Sequence, residues 1–380
     1  MNYSISKIAS ILGVKNQVFT DIEISVLLTD SRKLSNPQET LFFAIETKQN
    51  DAHKFISDLY YSGVRNFVVT KLFPEWKSFA GVNFLQVTNT LQALQKLAAY
   101  HRKQFNIPVI GITGSNGKTV VKEWLYQLLE EDYNIVRSPR SYNSQIGVPL
   151  SVWELNKDTT LAIFEAGISQ PDEMEYLEPI IRPTIGVLTK LGEAHQENFT
   201  SQQQKCTEKL ELFVNSDIFV YEEDNKVIHQ SVDTMVLSQK SFCWSRKYPD
   251  APLYIRRIDK NENKTTIHYS FLNFEYSVSI PFIDEASVEN AISCLAVMLY
   301  LNVKPEKISI RMMKLEPVAM RLDVRQGKKN CTIINDSYNS DINSIKIALD
   351  FQQQRMVDQS LKKTLIFCKQ ELCLNLFLNG

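Results

Sequence analysis

The chain has no Lys/Arg block interleaved with aromatic residues, and its 42 basic and 43 acidic side chains leave a formal net charge of −1. That balance excludes the electrostatic footprint of a nucleic-acid surface. Long hydrophobic runs are missing too. The most apolar stretch, residues 291–303, is interrupted by Ser293 and Asn302 and is too short to span a bilayer, so a buried helix is expected there. The opening Met-Asn-Tyr-Ser-Ile-Ser-Lys lacks a basic segment followed by an apolar core. No secretory signal is read, and the expected location is the cytoplasm. The six cysteines (Cys206, Cys243, Cys294, Cys331, Cys368, Cys373) form no C-x-x-C pair. Reduced thiols are expected, with neither a zinc site nor a disulfide framework. Internal repeats and low-complexity tracts are absent as well.

What the chain does contain is an apolar run broken by three glycines and closed by Lys-Thr: residues 109–119 read Val-Ile-Gly-Ile-Thr-Gly-Ser-Asn-Gly-Lys-Thr. Pro108 opens a strand-like run, and Val121, Leu125, Leu128 and Leu129 recur at helical spacing, so a helix is expected to begin near Lys118. A glycine-rich loop entering a helix N-terminus suits phosphate, because main-chain N–H groups and the helix dipole both favour an anion. In that reading Gly114, Ser115, Asn116 and Gly117 wrap the phosphates, Lys118 reaches the terminal ones, and Thr119 ligates magnesium. The strict P-loop spacing is not met, since Ile112 stands where a glycine is usual. A strand-to-helix turn without a ligand stays open on this segment alone.

The organisation along the chain is α/β. Residues 1–105 mix short apolar runs (40–45, 66–69, 83–87) with helical patterns, ending in a helix over 91–102, and read as a small α/β domain. From 106 to 316 strand and helix patterns alternate, which predicts a central, mostly parallel sheet with helices on both faces. Good strand candidates are Thr160-Leu-Ala-Ile-Phe164, Thr184-Ile-Gly-Val-Leu-Thr189 and Asp217-Ile-Phe-Val-Tyr221. Ligands of such sheets bind beyond the carboxyl ends of the strands, where Glu165, His195 and the Gly-rich loop all fall. Residues 317–380 hold one βαβ pattern: a strand at 331–334, a helix at 343–354 and a strand at 364–367. One such unit cannot bury both faces of its sheet. It is therefore expected to be an incomplete, Rossmann-like C-terminal domain, truncated after residue 380.

The helix after His195 has Cys206, Leu210, Phe213 and Val214 on one face. Lys209 borders that stripe, roughly 85° from its centre, whereas Lys205 lies about 125° away and is expected to face water, at 100° per residue. A desolvated lysine gives up its proton more easily, and a neutral amine reacts with carbon dioxide to give a carbamate able to ligate magnesium. Helix geometry alone favours a snorkelling surface lysine at 209. Plain alternatives exist elsewhere too: Arg321 and Asp336 suit an inter-domain ion pair, Asn290 suits a helix cap, and His195 suits an ordinary polar histidine.

Several motifs occur together in one order: Gly111-Ile-Thr-Gly-Ser-Asn-Gly-Lys-Thr119, Ser141-Tyr-Asn-Ser-Gln-Ile-Gly-Val-Pro149, Phe164-Glu-Ala-Gly167, Gly192-Glu-Ala-His-Gln-Glu-Asn-Phe199 and Asn335-Asp-Ser-Tyr-Asn339. In this the chain resembles the Mur ligases. Thr29-Asp-Ser-Arg32, Leu41-Phe-Phe-Ala44 and Asp51-Ala-His-Lys-Phe55 are similar to the amino-terminal domain that holds the UDP end of the substrate in that family. The resemblance implies an ATP-dependent amide-bond ligase joining D-alanyl-D-alanine to UDP-N-acetylmuramoyl-tripeptide through an acyl phosphate. It also covers the front part of ligases fused to alanine racemase.

Carried over residue by residue, the resemblance makes Lys118 and Thr119 phosphate and magnesium residues. Thr119, Glu165, His195 and carbamylated Lys209 become metal ligands at two magnesium sites. Asn290 becomes the adenine contact, Arg321 and Asp336 the γ-phosphate and ribose contacts, Ser31 and Arg32 uridine-side contacts, and Asn143 a substrate-positioning residue. Lys118, Lys209, His195 and Arg321 would carry catalysis. The chain departs from the family at Lys190, where asparagine is usual, at Ala52, where glycine precedes the histidine, and at Ser144, where a second asparagine stands. Two other readings stay open: a folylpolyglutamate synthetase-like ligase, and a nucleotide- or UDP-sugar-binding chain without catalysis.

Overall fold

The computed structural model describes residues 2–15, 18–192, 198–319, 323–326 and 332–335, with isolated positions at 345, 348, 349 and 352. They form two compact units. The first is built from the described parts of 1–114, 129–188 and 195–243, the second from 115–128, 189–194 and the described part of 244–380.

In the first unit, strands Val26–Leu28, Thr40–Phe43, Asn66–Val69 and Asn83–Gln86 form a four-stranded parallel sheet in sequence order. Strand periodicity splits its side chains between two cores. Leu41, Phe43, Val68 and Leu85 pack with Leu94 and Leu97 of the Thr90–Arg102 helix, while Phe42, Phe67 and Val69 pack with Ile56 and Leu59 of the Ile56–Tyr61 helix. Each such fully buried Phe or Leu contributes about 1.5–3 kcal/mol. The Thr90–Arg102 helix starts at Asn89, whose side chain accepts the Gln92 N–H at 3.0 Å, a standard cap. At its far end Arg102 donates to the carbonyls of Ile181 and Arg182, at 2.9 and 3.0 Å, closing the last turn of the Met174–Ile181 helix. A cation at a helix C-terminus complements the dipole there.

The same unit holds a five-stranded parallel sheet in the order Ile218–Val220, Ile185–Leu188, Val109–Thr113, Leu161–Glu165, Ile135–Arg137. The three strands expected in the 160–221 region are present: Leu161–Glu165 is shifted by one residue from its expected bounds, and the other two are a little shorter than their apolar runs. Val109–Thr113 leads on to the edge at Ile135–Arg137, and Ile185–Leu188 to the opposite edge at Ile218–Val220. Connections that part in this way leave a crevice at the carboxyl ends of the two strands.

The second unit departs from the expected alternation. Trp244–Ser245, Leu253–Lys260, Thr265–Phe271 and Phe274–Ile280 form a four-stranded sheet that is antiparallel except at its first pair. Its last two strands turn through Leu272 and Asn273, both at positive φ, as a two-residue hairpin demands. Leu253, Ile255, Ile267, Tyr269, Val278 and Ile280 are buried. The helix expected in the 291–303 stretch runs Glu285–Tyr300, capped by the Asp284 carboxylate, and is buried along Ala291–Leu299. Asp323–Gln326 pairs antiparallel with Thr332–Asn335, so the strand expected at 331–334 is present, shifted by one residue, in an antiparallel pair. The expected 364–367 strand and most of the 343–354 helix lie outside the described residues. Among the described residues no helix is long and apolar enough to cross a membrane.

Candidate active site

The Gly-rich loop leaves its strand at Thr113 and enters the Lys118–Leu129 helix, which begins at the lysine where helical periodicity starts. Gly114 has φ 145° and Gly117 φ 87°. Such backbone strains any L side chain. At Gly117 space is closed as well, because a Cβ there would stand 2.3 Å from the Asn290 Oδ1. The Asn290 side chain therefore lies directly on the loop backbone.

Within the first unit, the carboxyl ends of two adjacent parallel strands bring the loop and Glu165 together. Ile112 is in register with Glu165, and the Thr113 hydroxyl donates to the Ala166 carbonyl at 2.8 Å. The Glu165 side chain is fully buried, its Oε2 accepting from the Asn143 Nδ2 at 3.4 Å. Asn143 is fixed in turn by its own carbonyl, which accepts the Gly167 N–H at 2.8 Å. From the Gln202–Leu210 helix, Lys209 turns inward. Only 2 % exposed, it places its Nζ 3.3 Å from the Gly114 carbonyl, to which it donates. Gly114, Glu165, Asn143 and Lys209 are thus assembled by two strand ends, a loop and a helix.

Within the second unit the rest of the loop is held from behind by residues 189–192. The Ser115 N–H donates to the Lys190 carbonyl at 2.9 Å, the Ser115 hydroxyl to the Gly192 carbonyl at 3.1 Å, and the Thr189 hydroxyl to the Asn116 carbonyl at 2.6 Å. The Lys118 amine folds over the loop and donates to the Ser115 carbonyl at 3.2 Å. Thr119 is half-buried in the first turn of the helix. These four bonds order the loop, and an ordered loop is less costly to bind through than a mobile one.

A family model for the Mur ligase middle domain matches residues 112–298. A UDP-N-acetylmuramoyl-tripeptide–D-alanyl-D-alanine ligase of Buchnera aphidicola subsp. Baizongia pistaciae is 30% identical over 332 residues, covering 86% of this chain and 70% of its own. The chain belongs to the Mur ligase family. The fold agrees: MurF from Acinetobacter baumannii superposes with a TM-score of 0.83 at 24% identity, over 93% of this chain and 77% of that one. The MurF ligase from Thermotoga maritima in complex with ADP gives 0.74 at 22%, over 89% and 76%.

In this Mur ligase the amino-terminal motifs are ordered too. Asp30 caps the short Ser31–Lys33 turn and takes the Arg32 guanidinium on both oxygens at 2.9 Å, which holds its carboxyl below the usual range. Arg32 remains well exposed, and the neighbouring Lys33 donates to the Tyr142 hydroxyl at 2.5 Å, beside Asn143. His53 is buried: its Nε2 accepts the Thr70 N–H at 3.1 Å, so the proton sits on Nδ1 and is donated to Asp51 at 2.6 Å. Asp51, Glu46 and His53 lie close enough to hold a cation, but Lys71 already donates to Asp51 at 2.7 Å and stands 3.5 Å from Glu46. An ammonium supplies the positive charge there.

One expectation fails. Lys205, read as facing water, is 1 % exposed. Its helix is covered on several sides at once: it packs on the Lys226–Thr234 helix, with Gln203 donating to Ser231 at 2.7 Å, and Glu208 accepts the Met174 N–H at 3.0 Å. A single apolar stripe underestimates that burial. His195, Arg321 and Asp336 lie outside the described residues. Sequence reasoning singled out Lys190 only as a departure, and its partner Glu289, 99 residues away, carried no signal.

Proposed function

We propose that the chain is an ATP-dependent amide-bond ligase that adds D-alanyl-D-alanine to UDP-N-acetylmuramoyl-tripeptide in peptidoglycan precursor synthesis. The observation that carries the reading is the buried Lys209 amine on the Gly114 carbonyl, within a loop that has the form of a phosphate cradle. Family membership supports the reaction class, the name of the Buchnera relative supports both substrates, and ADP in the Thermotoga structure supports ATP as phosphoryl donor. A cytoplasmic location, where ATP is available, belongs to the same reading.

The substrate carboxylate attacks the γ-phosphorus of ATP, expelling ADP and forming an acyl phosphate. The free amine of D-alanyl-D-alanine then attacks that carbonyl, expelling phosphate, and loses a proton as the amide forms. No protein nucleophile is needed, so the chain's task is to align like-charged groups and offset their repulsion. Main-chain groups of Gly114 to Gly117 cradle the triphosphate, and Lys118 balances its terminal charge. Asn290 meets the adenine, while Arg321 and Asp336 take the γ-phosphate and the ribose. Ser31 and Arg32 hold the uridine end, and Asn143 positions the peptide.

A hydroxyl at Thr119 and a buried carboxylate at Glu165 are hard oxygen donors, the kind magnesium prefers. With His195 and a carbamate on Lys209 they would hold two ions. Magnesium, when bound, supplies charge neutralisation between triphosphate and carboxylate. Phosphate release measured with ATP, UDP-N-acetylmuramoyl-tripeptide and D-alanyl-D-alanine tests the reading: release that needs all three supports it, and nucleotide binding without any release refutes it.

A further inference from the structure

Lys190 lies in the segment that backs the Gly-rich loop, and a cation at that point has two possible employments: gripping phosphate, or holding protein. The structure decides between them by what the amine touches. Its Nζ donates to both carboxylate oxygens of Glu289, at 2.9 and 3.1 Å. Glu289 lies in the second turn of the Glu285–Tyr300 helix, immediately before Asn290, whose amide closes on Gly117. The main chain of Lys190 is itself part of the segment that backs the loop, since its carbonyl takes the Ser115 N–H.

Three contacts therefore close a ring inside the second unit. Residues 189–192 hold Ser115 and Asn116, Asn290 lies on Gly117, and the Lys190–Glu289 pair joins the backing segment to the helix that carries Asn290. We propose that this ion pair is a positioning device for the nucleotide: it fixes the Asn290-bearing turn against the loop, so that the base contact and the phosphate cradle are set at one spacing before ligand arrives. The proposal rests on the nucleotide reading of this loop and adds a residue pair, Lys190 and Glu289, to it.

Lys190 is half-exposed and Glu289 largely buried, so the pair resembles a partly shielded surface bridge. Such a bridge supports an affinity change of about three- to fivefold, not an all-or-none effect. A role through Asn290 also makes a distinction that a phosphate-gripping lysine does not. Loss of the pair should weaken ligands that carry a base and leave bare polyphosphate untouched, because the loop keeps its own main-chain supports.

Titration of the whole chain with magnesium–ADP and with magnesium–tripolyphosphate, by calorimetry or by competition, reads this directly. Lys190→Met and Glu289→Gln should each weaken ADP about three- to fivefold while tripolyphosphate affinity holds. The exchange Lys190→Glu with Glu289→Lys should recover most of the ADP affinity, a rescue that a general loss of folding would not give. Unchanged ADP affinity in both single variants overturns the proposal. So does a joint fall for ADP and tripolyphosphate in Lys190→Met with no effect of Glu289→Gln, which would assign the amine to phosphate. A wild-type chain that binds neither ligand overturns the nucleotide reading itself, and the proposal with it.

Discussion

The Lys209 amine donates to the main-chain carbonyl of Gly114 from a position closed to solvent, tying a helix 95 residues further along the chain to the loop where the nucleotide is proposed to bind. A surface lysine would not pay the entropy of holding its long side chain there.

Lys209→Ala is expected to reduce phosphate release by about ten- to a hundredfold, in line with the loss of a metal site's support. Added bicarbonate should not restore it, because the variant has no amine to carbamylate. Recovery with bicarbonate in this variant would contradict a carbamate at this position.

Lys118→Ala should weaken magnesium–ATP by about tenfold or more, the scale of one charge-assisted contact to phosphate. Isothermal titration of both proteins provides the comparison. Equal affinities would remove Lys118 from the phosphate cradle.

Gly117→Ala introduces a Cβ where φ is 87° and the Asn290 oxygen stands 2.3 Å away. A cost of about 1–3 kcal/mol in stability is expected from backbone strain, together with weaker nucleotide binding as Asn290 is displaced. Scanning calorimetry with and without ADP separates the two effects. A variant with wild-type melting and affinity would show that the loop is far softer than its contacts indicate.

His101 is buried between the Tyr3 hydroxyl, which donates to Nδ1 at 2.9 Å, and the Leu155 carbonyl, which accepts from Nε2 at 3.0 Å. Burial pushes its pKa from 6.5 down to about 4. The unfolded chain therefore binds a proton more readily than the folded one between these values. Stability supplied by the neutral ring is complete above about pH 6.5 and falls by roughly 3 kcal/mol as the pH drops towards 4. Urea melts across that range should show the slope, and His101→Gln, which keeps a donor for Leu155, should flatten it. An identical slope in the variant would place the acid sensitivity elsewhere.

The loop, the parallel strands beneath it and the helix start at Lys118 were legible in the sequence because each is a local pattern: glycine spacing, apolar runs of strand length, helical recurrence. Glu165 was legible for a related reason, since parallel strands put their ends on one side. The antiparallel sheet over 244–280 was harder to read. Its strands alternate, but their order and pairing depend on hairpin register rather than on any strand–helix rhythm.

By itself, the amino-acid sequence determined the family, the α/β class and the Gly-rich loop with Glu165 at the neighbouring strand end, because these follow from short motifs and periodicities. Only tertiary structure decided that Lys205 and Lys209 are both buried, that Lys190 answers to Glu289, and that Asn290 closes on Gly117. The reason is physical. Burial and ion pairing depend on which distant surfaces come to cover a side chain, and a helical wheel records one face of a helix without its neighbours.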